Sequence, residues 1–217
     1  MKRQLAFWGV LAGVACAGAA HAGPCSTTPV PLSTWLAAGF SCTVGDETFS
    51  NFTYSPSANT ATAAQVNVYA LPAAGNNGLR FQSAGWTSTT GQSTDAALSF
   101  LVSTATPILD DATLTIAGSV IGTGFATVGE TLTPSGDPAR TLLAYLPSHP
   151  SDHVTFAPTS SVGVLKDILT LSISGLASVS AIDQQFSETR PIPEPASIAV
   201  LGLGMAGLGF IRRQRKG

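Results

Sequence analysis

Apolar and polar side chains alternate with a period of two through most of residues 23–189. In Ala96–Val102 every second residue is apolar, and in Ala112–Ala117 leucine and isoleucine alternate with threonine. This period, with its Val, Thr and aromatic residues, is typical of β-strands. The pattern predicts ten short strands: Thr48–Tyr54, Gln65–Leu71, Leu79–Gly85, Ala96–Val102, Ala112–Ala117, Gly124–Leu132, Thr141–Leu146, His153–Ala157, Ile168–Ser174 and Val179–Phe186.

Turn-forming residues separate these runs. Gly and Asn fill residues 75–78, Thr and Gly occur in residues 89–92, and Pro, Ser, Gly and Asp fill residues 134–138. Such residues favour tight turns. One turn of helix is predicted at Ser33–Ala38. The pattern therefore predicts an all-β fold, a single antiparallel β-sandwich or jelly-roll domain.

The N-terminus has the pattern of an export signal. Two basic residues precede an uncharged run, Leu5–Ala20, and small side chains at Ala20 and Ala22 occupy the positions that signal peptidase reads. This pattern predicts a signal helix over residues 1–22 that is removed by cleavage after Ala22. An uncleaved membrane anchor is the alternative, but the run is only mildly apolar.

The cysteines support the same compartment. Signal cleavage removes Cys16 and leaves Cys25 and Cys42 in the exported part. An oxidising compartment favours their pairing, so one disulfide is predicted, with two unpaired thiols as the alternative. A loop of this length is stabilised by about 3 kcal/mol on closure.

Residues 190–217 differ in composition from the body. Pro193, Glu194 and Pro195 form a rigid, non-helical triplet. Residues 196–211 carry no charge and predict a single transmembrane helix of about 24 Å, which is short for a bilayer. The chain closes on a basic membrane stop over residues 212–217: Arg212, Arg213, Arg215 and Lys216. Basic flanks remain in the cytoplasm, so the body is predicted to lie outside.

This tail resembles the PEP-CTERM sorting signal of Gram-negative bacteria, which combines a Pro-Glu-Pro triplet, a short Gly- and Ala-rich span and an Arg-rich end. The resemblance covers about residues 192–216. It implies that an exosortase in the inner membrane recognises the tail and cleaves near residues 193–195. The body is then released or attached outside the cell, usually in bacteria that make exopolysaccharide. Tails of this kind are also named ice-binding protein C-terminal, a name that does not predict ice binding by the body.

Composition limits the function of the body. Charged residues make up 10% of the chain, and residues 23–193 carry four basic against eleven acidic side chains. An acidic surface does not favour nucleic acid, and the apolar content is too high for a disordered chain. No P-loop, Rossmann fingerprint or G-x-S-x-G motif occurs, and no cofactor is predicted.

Two groups of side chains could nevertheless carry chemistry. His149, Asp152 and His153 include metal-ligand types, but the prolines around them favour a solvated loop, and no metal site is predicted. A hydrolase would need two facing carboxylates, and a pair such as Glu130 with Asp167 cannot be chosen from sequence.

Aromatic residues offer a further alternative. An exposed row of Trp and Tyr side chains would suit a carbohydrate-binding surface, although core packing is favoured. The candidates are Trp35, Tyr54, Tyr69, Trp86 and Tyr145.

Together these patterns predict three regions and one route. The regions are a signal peptide at 1–22, a β-sandwich domain at 23–189 and a sorting tail at 190–217. The route runs from a precursor anchored in the inner membrane to a mature form at the cell surface or outside the cell. The expected partners are signal peptidase, exosortase, the inner membrane transiently and extracellular polysaccharide. The predicted function is that of a non-catalytic surface, matrix or biofilm component, with a carbohydrate-binding module as the alternative and a secreted hydrolase as a weaker one.

Overall fold

The computed structural model describes residues 22–73, 76–105 and 109–188. Within these residues the chain forms twelve strands, one short helix, α1 (Leu32–Trp35), and one 3-10 turn (Ala63–Gln65). The strands are β1 (Gly23–Pro24), β2 (Val30–Pro31), β3 (Ser41–Val44), β4 (Glu47–Pro56), β5 (Asn67–Leu71), β6 (Asn76–Gln82), β7 (Thr87–Thr89), β8 (Gln92–Ser103), β9 (Leu109–Pro134), β10 (Arg140–Leu146), β11 (Ser151–Thr159) and β12 (Ser161–Glu188).

Two long antiparallel strands, β9 and β12, organise a single sheet. They pair along almost their whole length, from Val162 opposite Pro134 to Glu188 opposite Leu109. The other edge of β12 pairs in turn with β8, β7 and β6. The other edge of β9 pairs with β10 and β11. Because both strands are paired on both edges, they form the centre of the fold.

Both long strands change direction near their middle, at Gly122 and Gly175. Each glycine has a φ of +84°, a conformation that other L-residues rarely adopt. A Cβ atom would also lie only 2.3 Å from the Ser174 carbonyl oxygen at Gly122 and 2.1 Å from the Ile121 carbonyl oxygen at Gly175. Glycine is therefore required at the point where the sheet curls over itself.

The curl produces two layers. The first layer contains β1, β3, β4, β8 and β10 with residues 161–172 of β12 and 124–134 of β9. The second contains β2, β5, β6, β7 and β11 with residues 176–188 of β12 and 109–121 of β9.

Aromatic side chains from both layers meet in the core. The Phe49 ring of the first layer lies 6.5 Å from the Phe186 ring of the second, and the Phe100 ring lies 5.7 Å from the Phe81 ring. Phe49, Phe81 and Phe186 are completely buried. The predicted all-β class is thus confirmed, with one curled sheet that packs on itself as a sandwich.

The prediction of ten short strands was wrong in its count and lengths. Ala112–Ala117 and Gly124–Leu132 are parts of one strand, β9, and Ile168–Ser174 and Val179–Phe186 are parts of β12. The glycines between these runs resemble turn signals, but they bend the strands while the hydrogen-bonded ladder continues. Residues 76–78 also belong to a strand instead of the predicted turn.

Other local predictions were confirmed. The chain turns between β7 and β8 at residues 90–91, and between β9 and β10 at residues 135–139. The predicted helical turn near residues 33–38 is α1, which begins one residue earlier and buries Leu32 and Trp35.

Candidate functional site

Large apolar side chains are exposed on the outer face of the first layer. Leu165 of β12 is 51% exposed, and Leu143 and Tyr145 of β10 are 50% and 39% exposed. Leu143 lies opposite Gly129 of β9, which in turn pairs with Asp167 of β12. These residues therefore share one face of one sheet, and we refer to it as the outer face.

An open groove lies on the outer face above Gly163. Its volume is about 310 Å³, and it exists because Gly163 places no side chain between its neighbours. A Cβ atom at Gly163 would lie 3.7 Å from the Thr133 Cβ, so the backbone leaves room for a side chain there. Hydroxyl, amide and leucine side chains surround it: Asn51, Ser99, Leu101, Thr131, Thr133 and Leu165. This lining carries no charge.

Two carboxyl groups touch on the outer face. Asp167 of β12 forms a side-chain hydrogen bond with Asp95 of β8. Burial raises the pKa of the Asp167 carboxyl, and the hydrogen bond and charge of Asp95 raise it further. Glycoside hydrolysis requires space for the substrate between its two carboxyl groups. Asp95 and Asp167 are in direct contact and leave no such space.

The pair of Glu130 with Asp167 does not form. Glu130 points into the core, where its side chain is 0% exposed, whereas Asp167 is exposed on the outer face. Gly129 of β9 lies opposite Asp167, so the two carboxylates occupy opposite faces of the layer.

Glu130 belongs instead to a buried polar cluster with Lys166 and Gln184, which we call the buried cluster. Lys166 and Glu130 are directly opposite each other on β12 and β9. The Lys166 Nζ donates hydrogen bonds to Glu130 Oε2 and to Gln184 Oε1. Gln184 lies on the part of β12 that belongs to the second layer. The cluster therefore joins the two layers through the centre of the core.

Burial controls the protonation of this cluster. It raises the pKa of the Glu130 carboxyl, and the charge and hydrogen bond of Lys166 and the hydrogen bond of Gln184 oppose that shift. It lowers the pKa of the Lys166 amine, and Glu130 opposes that shift. Removal from water disfavours the charged form of both groups, whereas their contact with each other favours it.

Sequence reasoning missed the buried cluster, although one signal was available. Val162, Val164, Ile168 and Thr170 alternate along β12, and Lys166 occupies the same inward register. A lysine in an apolar alternation implies a buried partner. The partners lie 36 and 18 residues away along the chain, so they could not be identified without the fold.

The aromatic candidates do not form an exposed row. Trp35 and Trp86 are 2% and 0% exposed, and Trp86 Nε1 donates a hydrogen bond of 2.9 Å to the Tyr54 hydroxyl. Tyr69 packs beside Arg80, whose guanidinium carbon lies 6.0 Å from the ring centre. Among these five, only Tyr145 is exposed.

The expected solvated loop at residues 149–153 is wrong from Ser151 on, where β11 begins and pairs with β9. The side chains of this segment have separate partners. Asp152 accepts hydrogen bonds from the backbone N–H groups of Leu143 and His153 at 2.8 and 2.9 Å. His153 Nε2 lies 3.5 Å from Asp111 Oδ2, and the His149 ring packs 5.4 Å from the Tyr145 ring. Across the described ranges, no three or more His, Cys, Asp and Glu side chains are grouped to hold a metal ion.

The predicted disulfide between Cys25 and Cys42 is confirmed, with a Cα–Cα distance of 4.8 Å. It fixes β1 beside β3, where Gly23 lies opposite Cys42. Gly23 and Pro24 are exposed, whereas both cysteines are buried. The start of the body is therefore anchored directly after the predicted cleavage position at Ala22.

Removing this disulfide is expected to lower the free energy of unfolding by about 3 kcal/mol, because the unfolded chain regains the entropy of the open loop. Urea denaturation of the double variant Cys25→Ser/Cys42→Ser would measure the change. The chemically reduced wild-type protein is the matched control and should show a similar loss. Equal stability of the oxidised protein and the double variant would contradict the expectation.

Several predicted residues lie outside the described residues. These are Ala20 of the cleavage site, the triplet Pro193, Glu194 and Pro195, the span 196–211 and the basic residues Arg212, Arg213, Arg215 and Lys216. Among the residues that are described, no helix has the length and apolar character needed to cross a membrane.

Comparison with known families identifies the tail. Residues 191–216 match the PEP-CTERM protein-sorting motif. The predicted resemblance is thereby confirmed for the C-terminal segment. This motif implies export, a membrane-anchored precursor and handling by an exosortase. No curated protein matches the chain.

Solved structures show only a distant likeness to the body. TmCBM61 in complex with β-1,4-galactotriose aligns with a TM-score of 0.34 and 11% identity, covering 62% of this chain and 88% of that chain. A structure described as showing the promiscuous specificity of carbohydrate-binding modules from the β-sandwich superfamily aligns with a TM-score of 0.29 and 13% identity. That alignment covers 78% of this chain and 63% of the other. Both scores are low, and neither likeness carries an argument about the function of this chain.

Proposed function

We propose that this protein is exported, that an exosortase processes its tail, and that the mature body is a non-catalytic component of the cell surface or of its exopolysaccharide matrix. The observation that carries the proposal is the sorting motif at residues 191–216, which begins just after β12 ends at Glu188. The proposed regions are a signal peptide at 1–22, the β-sandwich domain at 23–189 and the tail at 190–217.

The body has features that suit an extracellular existence. Its disulfide persists in an oxidising compartment. Between residues 23 and 193 there are eleven acidic and four basic side chains, and this net negative charge favours solubility outside the membrane. The proposed role therefore needs a stable, soluble scaffold and no catalytic machinery.

Glu194 provides the test of tail processing. Two prolines flank it and prevent a helix, so the segment would present an extended backbone to a membrane-embedded peptidase. Changing Glu194 to alanine is expected to block processing of the tail and to leave an anchored form, with the tail attached, in the inner membrane. Immunoblots of membrane and external fractions from exosortase-positive cells would measure this.

The matched control is Ser197→Ala, which changes the same tail and leaves the triplet intact. It should be processed like the wild type. Processing of Glu194→Ala at the wild-type rate would contradict the role proposed for the acidic residue. Processing of the wild type in cells without an exosortase would contradict the proposed route.

A second function, binding of a neutral polysaccharide, is favoured by the groove on the outer face. The groove is open, uncharged and lined by hydroxyl groups beside Leu101 and Leu165. Apolar side chains contact the faces of sugar rings, and hydroxyl and amide groups bind their hydroxyls.

Changing Gly163 to valine is expected to weaken glycan binding at least about tenfold, because the new side chain fills the groove without a backbone clash. A glycan array followed by calorimetry on the mature protein would measure the change. Gly129→Val is the matched control, since a Cβ there has no neighbour within 4 Å and Gly129 is not part of the lining. Equal binding by both variants, or no binding to any neutral glycan, would contradict this second function.

A further inference from the structure

The body contains a single lysine, and that lysine is in the core. Lys166 is the only lysine between Lys2 and Lys216. Its side chain is 0% exposed. Lysine is almost never fully buried without a partner, because its charged form is strongly hydrated. The position therefore needs an explanation beyond packing.

Buried leucines surround the buried cluster. Leu98 of β8 and Leu142 of β10 lie in the same cross-strand row as Lys166 and Glu130. All four of these residues are buried. Leucines also flank Gln184, with Leu79 on β6 and Leu114 on β9 directly opposite it. Because apolar side chains surround them, Lys166, Glu130 and Gln184 have one another as polar partners.

The three groups form the parts of an acyl-transfer site. A neutral amine in an apolar pocket is a nucleophile. Lys166 Nζ donates a hydrogen bond to the Gln184 carbonyl oxygen, so it lies beside the amide carbon to which that oxygen is bonded. Glu130 touches the same nitrogen and can move its proton. An amine, an acid and an amide carbon are thus held together in one buried cluster.

We propose that Lys166 and Gln184 join through a spontaneous isopeptide bond, with Glu130 as the proton shuttle. Lys166 Nζ attacks Gln184 Cδ, and Glu130 protonates the amide oxygen while the tetrahedral carbon forms. The proton lost by Nζ passes through Glu130 to Gln184 Nε2, and the hydroxyl proton of the tetrahedral carbon returns to Glu130 as its C=O bond re-forms. The Cδ–Nε2 bond breaks and ammonia leaves. One C–N bond replaces another, and no oxidant, metal or co-reactant is consumed.

Gln184 is the better acceptor of the two neighbours. A bond from Lys166 to Glu130 would require a carboxyl oxygen to leave as water and would remove the acid that shuttles the proton. A bond to Gln184 keeps that acid in place. It also joins the two halves of β12, one in each layer, so the covalent link holds the sandwich closed across its core.

Digestion at lysine tests the bond, because an endoprotease specific for lysine can cut the body only after Lys166. The mature protein, purified from the external fraction, is denatured and reduced before digestion. The disulfide links Cys25 to Cys42, both on the same side of the cut, so it cannot hold the two products together. The linked protein is expected to remain uncut and to be lighter than its sequence mass by one ammonia.

Matched variants identify the residues. Glu130→Gln is expected to yield two fragments and the full sequence mass, because it cannot shuttle the proton. Gln184→Ala should do the same. Gln185→Asn, one residue further on the other face of β12, should remain uncut and lighter by one ammonia. The digest of the wild type decides the question even where a variant does not fold.

Two outcomes would overturn the proposal. Complete cleavage of the wild type after Lys166, with no mass deficit, would show that the bond does not form. A deficit of one water, with Lys166 joined to Glu130 in the fragment spectra, would show that the acceptor is wrong. Both outcomes concern a bond inside the body, whereas failure of the proposed function would appear as the absence of a processed external form.

Discussion

Replacing Glu130 with alanine is expected to lower the free energy of unfolding by about 3–5 kcal/mol, because it leaves a buried lysine without its carboxylate. Lys166 and Glu130 both have side chains with 0% exposure, so water cannot replace the lost partner. Loss of the proposed cross-link would add to this cost. Urea unfolding followed by tryptophan fluorescence would measure the difference.

Two further variants test whether the loss of stability comes from breaking the pair of Lys166 and Glu130. In Glu130→Leu/Lys166→Met both charges are replaced by apolar groups of similar size, and stability should recover by several kcal/mol relative to Glu130→Ala. Asp95→Ala, on the outer face, should change stability by less than about 0.5 kcal/mol. A Glu130→Ala variant as stable as Asp95→Ala would show that the buried pair is not an important contact.

Replacing Trp86 with alanine is expected to lower the free energy of unfolding by about 3–5 kcal/mol, since the change leaves a large cavity in the core. Trp86 is fully buried, and its Nε1 donates to the Tyr54 hydroxyl at 2.9 Å. That hydroxyl donates in turn to the Ala61 carbonyl oxygen at 2.7 Å. Burial raises the pKa of Tyr54, so the hydroxyl remains a donor at neutral pH. Thermal and urea denaturation would measure the loss.

The matched control for Trp86 is Tyr145→Ala on the outer face. Tyr145 is 39% exposed, so its removal should change stability by less than about 0.5 kcal/mol. A large loss of stability for Tyr145→Ala, or none for Trp86→Ala, would contradict the assignment of these two aromatics.

Local chemistry explains which features could be predicted from the sequence. Alternation in Ala96–Val102 was enough for the strand, since its inward side chains are buried and its outward ones are not. The disulfide could be predicted because the exported part contains two cysteines and an oxidising compartment favours their pairing. The tail followed from a triplet, an apolar span and a basic end that lie next to one another in the chain.

The missed features depend on contacts between distant residues. Gly122 and Gly175 have the same composition signal as a turn, and only the partner strand shows that the ladder continues through the bend. The groove results from Gly163 among side chains of β4, β8 and β9. The buried cluster combines residues 130, 166 and 184, which no local spacing brings together.

Mass spectrometry of the protein recovered outside the inner membrane tests the central claim most directly. The chain is predicted to begin at Gly23, to end at or beside residues 193–195 and to lack the basic end, and this form should appear only in cells that contain an exosortase. An external or cytosolic protein that still carries residues 1–22 and 196–217 in the presence of that enzyme would contradict the account.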